Sequence, residues 1–357
     1  MRILQIIDSL DIGGAEKMAV NYANALSNKV AFSGLVTTRK EGSLKEQINS
    51  NVPYLFLNRK KTVDFFAIFR LKKYCKSNNI QYVQAHSSSF FTAFLLKLIL
   101  FRIKIIWHDH NGLSEFLNAR KSLALKIASY FFDGIIVVNY QLKNWAEREL
   151  NCKKVIYLAN FTSISQNGLK ETALFGENEK RILCLANLRF QKNHFLLIDV
   201  AKKLKLSHPD WTFHLVGKDF NDDYSSKVKS GIAENDLQNH VFIYGSKNDT
   251  QNIIEQSEIA ILTSQSEGLP VALLEYGLNK KAVVSTEVGE IPLIIVNNEN
   301  GFIVPKFDAE QFYSALIAMI ENKELRMKLG EALYRTIQQN NSEEAVLNKF
   351  ISWVKTK

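Results

Sequence analysis

Short apolar runs alternate along this chain with segments whose apolar positions recur every three or four residues. Runs of that length fit strands buried on both faces, and the intervening segments fit amphipathic helices. The first half predicts strands at Ile3–Ile7, Phe32–Thr37, Tyr54–Leu57, Tyr82–Ala85, Ile103–Trp107, Gly134–Val138 and Val155–Tyr157. Helices are expected near Ala15–Leu26, Val63–Asn78 and Ser89–Phe101. Asn160 to Asn178 is polar, loses periodicity and contains two glycines, so it reads as a linker. A second series starts at Arg181–Ala186 and continues with Thr212–Val216, Val241–Tyr244, Ile259–Thr263, Ala282–Ser285 and Phe302–Val304, with helices from about Ala309 onward. Such alternation builds parallel sheets covered on both faces. The expected class is α/β, two doubly wound Rossmann-like domains facing across a cleft, with ligands beyond the carboxyl ends of the strands.

Length supports two domains, since 357 residues exceed what one small core organises. The expected division is 1–165, 166–338, and a C-terminal helix, 339–357, packing back toward the N-terminal domain. Cys75, Cys152 and Cys184 lie far apart, make no metal or redox spacing and fit a reducing compartment. The start, Met1 to Ile7, lacks the apolar length of a signal peptide. The longest apolar run, Phe90 to Trp107, is broken by Lys97, Arg102 and Lys104, and reads as a helix followed by a strand rather than a membrane span. A cytoplasmic protein is expected.

Charge changes the picture for the first half. The net charge is +9, but residues 1–165 hold 23 Lys and Arg against 11 acids, and the remainder holds 22 against 25. The first half therefore suits an anionic partner such as a bilayer surface or a lipid diphosphate. A solvated lysine-rich surface explains the same count. Nucleic acid is not expected, because no basic-aromatic binding module appears.

The most informative stretch is Ser264-Gln265-Ser266-Glu267-Gly268-Leu269-Pro270-Val271-Ala272-Leu273-Leu274-Glu275, directly behind the apolar strand Ile259–Thr263. Pro270 suits the first turn of a helix, which places Glu267 in the strand-end loop and Glu275 on the helix. The free N–H groups between them favour an anion such as a diphosphate. One carboxylate can hold sugar hydroxyls and the other ribose hydroxyls, a layout that suits a nucleotide sugar.

Other strand ends add weaker signals. Gly13-Gly14-Ala15-Glu16 follows the first strand, where glycines admit close backbone approach before a helix opens; a plain tight turn reads the same way. In His108-Asp109-His110-Asn111-Gly112 the two imidazoles share one strand face, toward the cleft, and His86 ends the neighbouring strand. Hydrogen bonding to a sugar or phosphate fits these histidines better than a metal, since no cysteine or carboxylate spacing supports an ion, and at least one of them is expected to be structural. Arg189 and Lys192 bring two cations to a strand end, as a leaving diphosphate requires or as any solvated turn displays. Gly217, Tyr244 and Gly245 mark two further turns that fit the walls of a nucleotide base site.

Taken together, these motifs resemble the retaining glycosyltransferases of the GT-B fold, family four, of the bacterial surface-polysaccharide type. The likeness is strongest from Ser264 through Pro305, including Val284–Pro292 and Asn300–Pro305, and extends to Gly13–Glu16 and His108–Gly112. It implies a metal-independent transfer of a sugar from a nucleotide-diphosphate donor, UDP- or GDP-linked, to a glycan or polyprenyl-linked acceptor, with no other cofactor. By resemblance Glu267 contacts the donor sugar, Glu275 the ribose, Arg189 and Lys192 the diphosphate, and Gly14 lies beside the phosphates. Ser266, Gly268, Leu269, Pro270 and Val271 complete the donor side with Gly217, Tyr244 and Gly245. His110 matches the active-site histidine, with His108 as second choice, and Gly13, His86, His108 and His110 form the acceptor side. The chain departs from the family where Gly-Arg-Leu is replaced by Ala186-Asn187-Leu188, and where Asn-Gly is replaced by Asn160-Phe161. A GT-B nucleotide-sugar epimerase, a non-catalytic sugar-nucleotide binder and a glycoside hydrolase are the competing readings. Peripheral contact with an anionic inner membrane surface through Lys97, Arg102, Lys121 and Lys126 is a further expectation.

Overall fold

The computed structural model describes residues 1–111, 117, 120, 122–161 and 170–356. Gly112, Lys121, the middle of the expected linker and the expected 165/166 boundary lie outside the described residues. The chain divides into two compact units: Met1–Phe161 with Glu343–Lys357, and Thr162–Ser342.

The first unit runs β1 (Arg2–Ser9), α1 (Gly14–Ser27), β2 (Phe32–Lys40), β3 (Tyr54–Phe56), α2 (Phe65–Ser77), β4 (Tyr82–His86), α3 (Phe90–Ile99), β5 (Lys104–Asp109), α4 (Leu123–Ser129), β6 (Gly134–Val137), α5 (Tyr140–Glu149) and β7 (Val155–Tyr157). Its seven strands are parallel in the order β3-β2-β1-β4-β5-β6-β7. Strand alternation sorts the side chains. Leu4 and Ile6 of β1 face the core built with Leu71 of α2, Leu96 of α3, Leu125 of α4 and Leu142 of α5. Ile7 faces the other way, toward Ala19 and Ala23 of α1. Helix starts are fixed locally: Asp64 caps α2 by accepting from Ala67 N–H, and Asn139 caps α5 by accepting from Leu142 N–H. Each such cap stabilises its helix by about 1 kcal/mol.

The second unit runs β8 (Arg181–Leu185), α6 (His194–Ser207), β9 (Thr212–Val216), α7 (Asp223–Glu234), β10 (Val241–Gly245), α8 (Thr250–Glu255), β11 (Ile259–Leu262), α9 (Val271–Leu278), β12 (Ala282–Thr286), β13 (Phe302–Val304), α10 (Ala309–Glu321) and α11 (Lys323–Asn340). Its six strands are parallel in the order β10-β9-β8-β11-β12-β13. In both sheets the strand order reverses beside the first strand of the unit, between β1 and β4 and between β8 and β11. That is where open α/β sheets bind ligands.

The last helix, α12 (Glu343–Lys355), belongs to the first unit. Phe350 is buried against Tyr22, and the Trp353 ring lies where a Cβ on Gly134 would stand. α11 continues unbroken to Asn340, past the expected 338/339 division. The polar stretch expected as linker is not free where it is described beyond Phe161. Glu171 and Thr172 donate their N–H groups to Asp249, and Phe175 donates to the Tyr244 hydroxyl. Thr172 Oγ1 adds a side-chain bond to the Asp249 carboxylate at 2.8 Å. Among the described residues, no helix is long and apolar enough to cross a membrane.

Candidate active site

In the second unit the loops after β8 and β11 lie side by side at the switch point. Thr263 Oγ1 donates to the Lys192 carbonyl at 2.9 Å, and Gln265 donates to the Gln191 and Phe190 carbonyls at the same distance. This stitching fixes Lys192 against Glu267, with which it forms an ion pair. Ser264 Oγ donates to the same carboxylate oxygen at 2.6 Å. Glu267 is only 5% exposed, and every residue from Ser264 through Val271 is buried, including Ser266, Gly268, Leu269 and Pro270. The loop is thus a rigid cradle rather than a solvated turn.

Pro270 is the cap of α9, with φ −67° and ψ 126°, so the helix opens one residue later than its proline suggested. Glu275 sits on the second turn of α9, half-buried. Sequence reasoning missed two supports. Ser264 orients Glu267, as above. Gly289 has φ +57°, and a Cβ there would stand 2.4 Å from the Glu267 carbonyl oxygen. Only glycine allows that approach. Glu290 N–H then closes the contact by donating to the Gly268 carbonyl at 3.0 Å. A glycine three residues before Pro292, inside a block already singled out, was the available signal.

The remaining donor-side candidates separate into two kinds. Arg189 is exposed at the tip of its loop, its guanidinium 4.4 Å over the Phe220 ring, so the replacement of the usual pattern still leaves a cation at this edge. Gly217 is buried, and a Cβ there would stand 2.2 Å from the Ala186 carbonyl oxygen. Packing against the end of β8 therefore requires a glycine at this strand end. The Tyr244 hydroxyl is occupied by Phe175 N–H and by His214 Nδ1, both at 2.9 Å, so it serves the unit's interior. Gly245 adopts φ +68° to turn the chain after β10.

In the first unit three imidazoles gather at the other switch point. Gln5 of β1 pairs in register with Gln84 of β4, and His86 with His108 of β5, so all four side chains share one sheet face. His110 continues the same parity just past β5. Gln5 Oε1 lies 2.8 Å from His86 Nε2, and His86 Nδ1 lies 2.9 Å from His110 Nε2. Gln84 Nε2 lies 3.0 Å from His108 Nδ1, and the His108 and His110 ring centroids are 3.9 Å apart. Tyr22 of α1 covers the group, T-shaped to His108. Burial drives the three pKa values down, that of His110 to about 3 and those of His86 and His108 well below the ordinary value. All three are therefore neutral at pH 7.

Neutrality fixes the proton positions. A carbonyl oxygen such as Gln5 Oε1 only accepts, so His86 donates from Nε2 and accepts at Nδ1. His110 then donates from Nε2 and presents Nδ1 as its lone pair. His86 and His108 are fully buried and serve the structure, as expected of at least one of these histidines; of the three only His110 reaches the surface. The three rings bring one nitrogen each within 4.8 Å of one another. The 2.9 Å His86–His110 distance is that of a shared proton, whereas two nitrogens on one tetrahedral zinc stand about 3.3 Å apart. Asp109 points to the opposite face and accepts from both Arg120 nitrogens, at 2.6 and 3.0 Å. Gly13 precedes α1 with extended backbone, and Gly14 opens the helix in open space, with no atom within 4 Å of an added Cβ. Nearby, the buried Arg59 pairs with Asp8, which also accepts from Ser88 Oγ at 2.7 Å; sequence reasoning gave neither of these two a role.

Comparison with known proteins agrees with this division. Residues 12–163 match the model of Glycosyltransferase Family 4, and residues 166–336 that of Glycosyl transferases group 1. The amylovoran biosynthesis glycosyltransferase AmsD of Erwinia amylovora is 22% identical, over 98% of each chain. An Escherichia coli UDP-Gal:alpha-D-GlcNAc-diphosphoundecaprenol alpha-1,3-galactosyltransferase is 22% identical over 88% of this chain and 87% of its own. In fold, Anabaena HepE, solved in complex with UDP and glucose, superposes with a TM-score of 0.82 over the whole of both chains at 16% identity.

Proposed function

Since this chain belongs to the glycosyltransferases of the family 4 and group 1 models, with the GT-B fold, we propose that it transfers a sugar, with retained anomeric configuration, from a UDP- or GDP-sugar to a glycan or polyprenyl-linked acceptor in cell-surface polysaccharide assembly. The observation that carries the reading is the buried Ser264–Glu267–Lys192 cradle beneath the start of α9. A relative that acts on a diphosphoundecaprenol-linked sugar supports the acceptor class, and the basic first half supports an acceptor presented at the inner face of the membrane.

In this reading Glu267 holds hydroxyls of the transferred sugar and Glu275 those of the ribose. Lys192, already fixed by Glu267, and Arg189, stacked over Phe220 at its loop tip, neutralise the diphosphate as the anomeric C–O bond breaks. A cation positioned in advance where charge develops, as Lys192 is, lowers the barrier by about 3–4 kcal/mol in a water-excluded site. Two cations there remove the need for a divalent metal. Gly14, open above α1, lets phosphate oxygens approach backbone N–H groups. His110 accepts a hydrogen bond at Nδ1 from a sugar hydroxyl, which its neutral form permits and a protonated ring would not. The transition state resembles an oxocarbenium ion, and the departing diphosphate takes the acceptor proton on the same face.

A thermal-shift screen against UDP, GDP, ADP and CMP with EDTA present tests the donor site. UDP or GDP is expected to raise the melting temperature of the wild type and not of Glu275→Ala. No shift with any nucleotide would overturn the reading, and an inverted anomer in the transfer product, read by NMR, would overturn retention.

A further inference from the structure

The transfer chemistry leaves one face of the first unit unused. α2, α3 and α4 pack side by side over the same side of the sheet. Their outward positions are apolar where solvated positions are normally polar. Phe65, Phe66 and Phe69 of α2 are 71%, 81% and 56% exposed, and Phe101, Leu123 and Tyr130 at the ends of α3 and α4 are 74%, 76% and 73% exposed. Phe94 of α3 meets Phe131 beyond α4 at a centroid distance of 5.3 Å, so aromatic surface bridges neighbouring helices. Single exposed apolar residues need no explanation, but an array on adjacent helices marks an interaction surface. In the second unit the large apolar side chains more than 60% exposed, Phe175, Phe190, Leu206, Phe307 and Met327, fall on separate elements.

Charge selects the occupant. Residues 58–104 contain ten Lys and Arg and a single acid, Asp64. That carboxylate is committed to the start of α2, accepting from the N–H groups of Ala67 and Lys60. Lys72 lies 5.9 Å from the centroid of the Phe69 ring and Arg102 lies 5.7 Å from that of Phe101, so cations and aromatics are interleaved. Protein interface cores are depleted in lysine. Aromatic side chains beside Lys and Arg, on helices too short to span, are the composition of an interfacial membrane surface.

We propose that the α2–α3–α4 face seats the first unit on an anionic phospholipid bilayer, with Phe65, Phe66 and Phe69 entering the headgroup region and Lys73, Lys76 and Arg102 pairing with lipid phosphates. The proposal rests on the lipid-linked acceptor reading for its purpose, while the surface itself is a property of the first unit. Flotation of the full chain with phosphatidylcholine vesicles, with and without phosphatidylglycerol, tests it. The wild type is expected to float with phosphatidylglycerol vesicles at low salt and to be released at high salt. Phe65→Ser/Phe66→Ser/Phe69→Ser is expected to lower partitioning at least about tenfold, and each of Lys73→Ala, Lys76→Ala and Arg102→Ala about fivefold. These side chains are exposed, and an unchanged nucleotide thermal shift in each variant shows that the fold and donor site persist. Failure of the wild type to float overturns the docking, even where nucleotide binding upholds the transferase. Flotation without any nucleotide shift upholds the docking and sinks the transferase reading. Partitioning insensitive to the triple variant overturns the proposal. So does a dimer, seen by sedimentation equilibrium, that the triple variant abolishes, because a second copy would then own the face.

Discussion

The two switch points of this molecule solve the same positional problem in opposite ways. In the second unit the cradle comes from one short loop, Ser264 to Pro270, laid against a neighbouring loop that carries Lys192. In the first unit the histidine chain is assembled from two strands and the residue just past a third, with Gln5, His86 and His110 brought together by sheet register and parity. The first site is charged and held by an ion pair; the second is neutral and held by proton-sharing rings. A contiguous charged loop is written in the sequence as a motif. A register-built neutral chain is written only as three histidines.

The largest effect should come from breaking the charged site. Glu267→Gln keeps the shape of the side chain but leaves Lys192 without its counter-charge. Transfer activity is expected to fall by about a hundredfold to a thousandfold. His110→Gln retains a hydrogen-bond acceptor and is expected to cost about tenfold. Steady-state kinetics with the donor identified by thermal shift compares the two. A loss in His110→Gln as large as in Glu267→Gln would erase the distinction between a charged and a neutral site.

Acid should separate the two units next. Burial depresses the pKa values of His86, His108 and His110 in the first unit, and of His194 and His214, each to about 3, in the second. A histidine held neutral in the fold takes up a proton only when the chain unfolds. Its stabilisation is therefore complete above the unfolded value near 6.5 and is lost as pH falls below it toward the folded value. Each group contributes a slope of about 1.4 kcal/mol per pH unit. Three such groups give the first unit about 4 kcal/mol per pH unit and two give the second about 3. Hydrogen exchange followed by mass spectrometry between pH 7.5 and 5.5 should show protection falling faster in β1, β4 and β5 than in β8, β9 and β11. Equal loss in both units would refute the neutral chain.

How much of this was legible beforehand follows the same contrast. Strand positions in both units were readable because buried parallel strands are continuous apolar runs, and Val155–Tyr157 and Thr212–Val216 fall where the pattern set them. The Glu267 loop and its helix were readable because Gly, Pro and Glu recur within one stretch. Burial of His86 and His108 was not readable, since it depends on Tyr22 of α1, itself packed against Phe350 of α12, covering the two rings. The packing role of Gly217 was equally hidden, because strand-end glycines look alike whether they face a ligand or, as here, the Ala186 backbone.

Two glycines sharpen that last point with the smallest effects. Gly289→Ala introduces a Cβ 2.4 Å from the Glu267 carbonyl oxygen at a residue with φ +57°. Backbone on one side and a left-handed conformation on the other leave no easy relaxation, so stability is expected to fall by about 1–3 kcal/mol. The displaced Glu267 loop should also weaken nucleotide binding. Gly14→Ala meets no atom within 4 Å and opens a helix, so it should raise stability by about 0.5–1 kcal/mol through helix propensity. If the open space above Gly14 admits phosphate, the same variant must weaken nucleotide binding while melting higher. Calorimetric melting with and without UDP or GDP reads both quantities on one sample. A Gly14→Ala protein that melts higher and binds nucleotide as tightly as the wild type would leave Gly14 a helix start and nothing more.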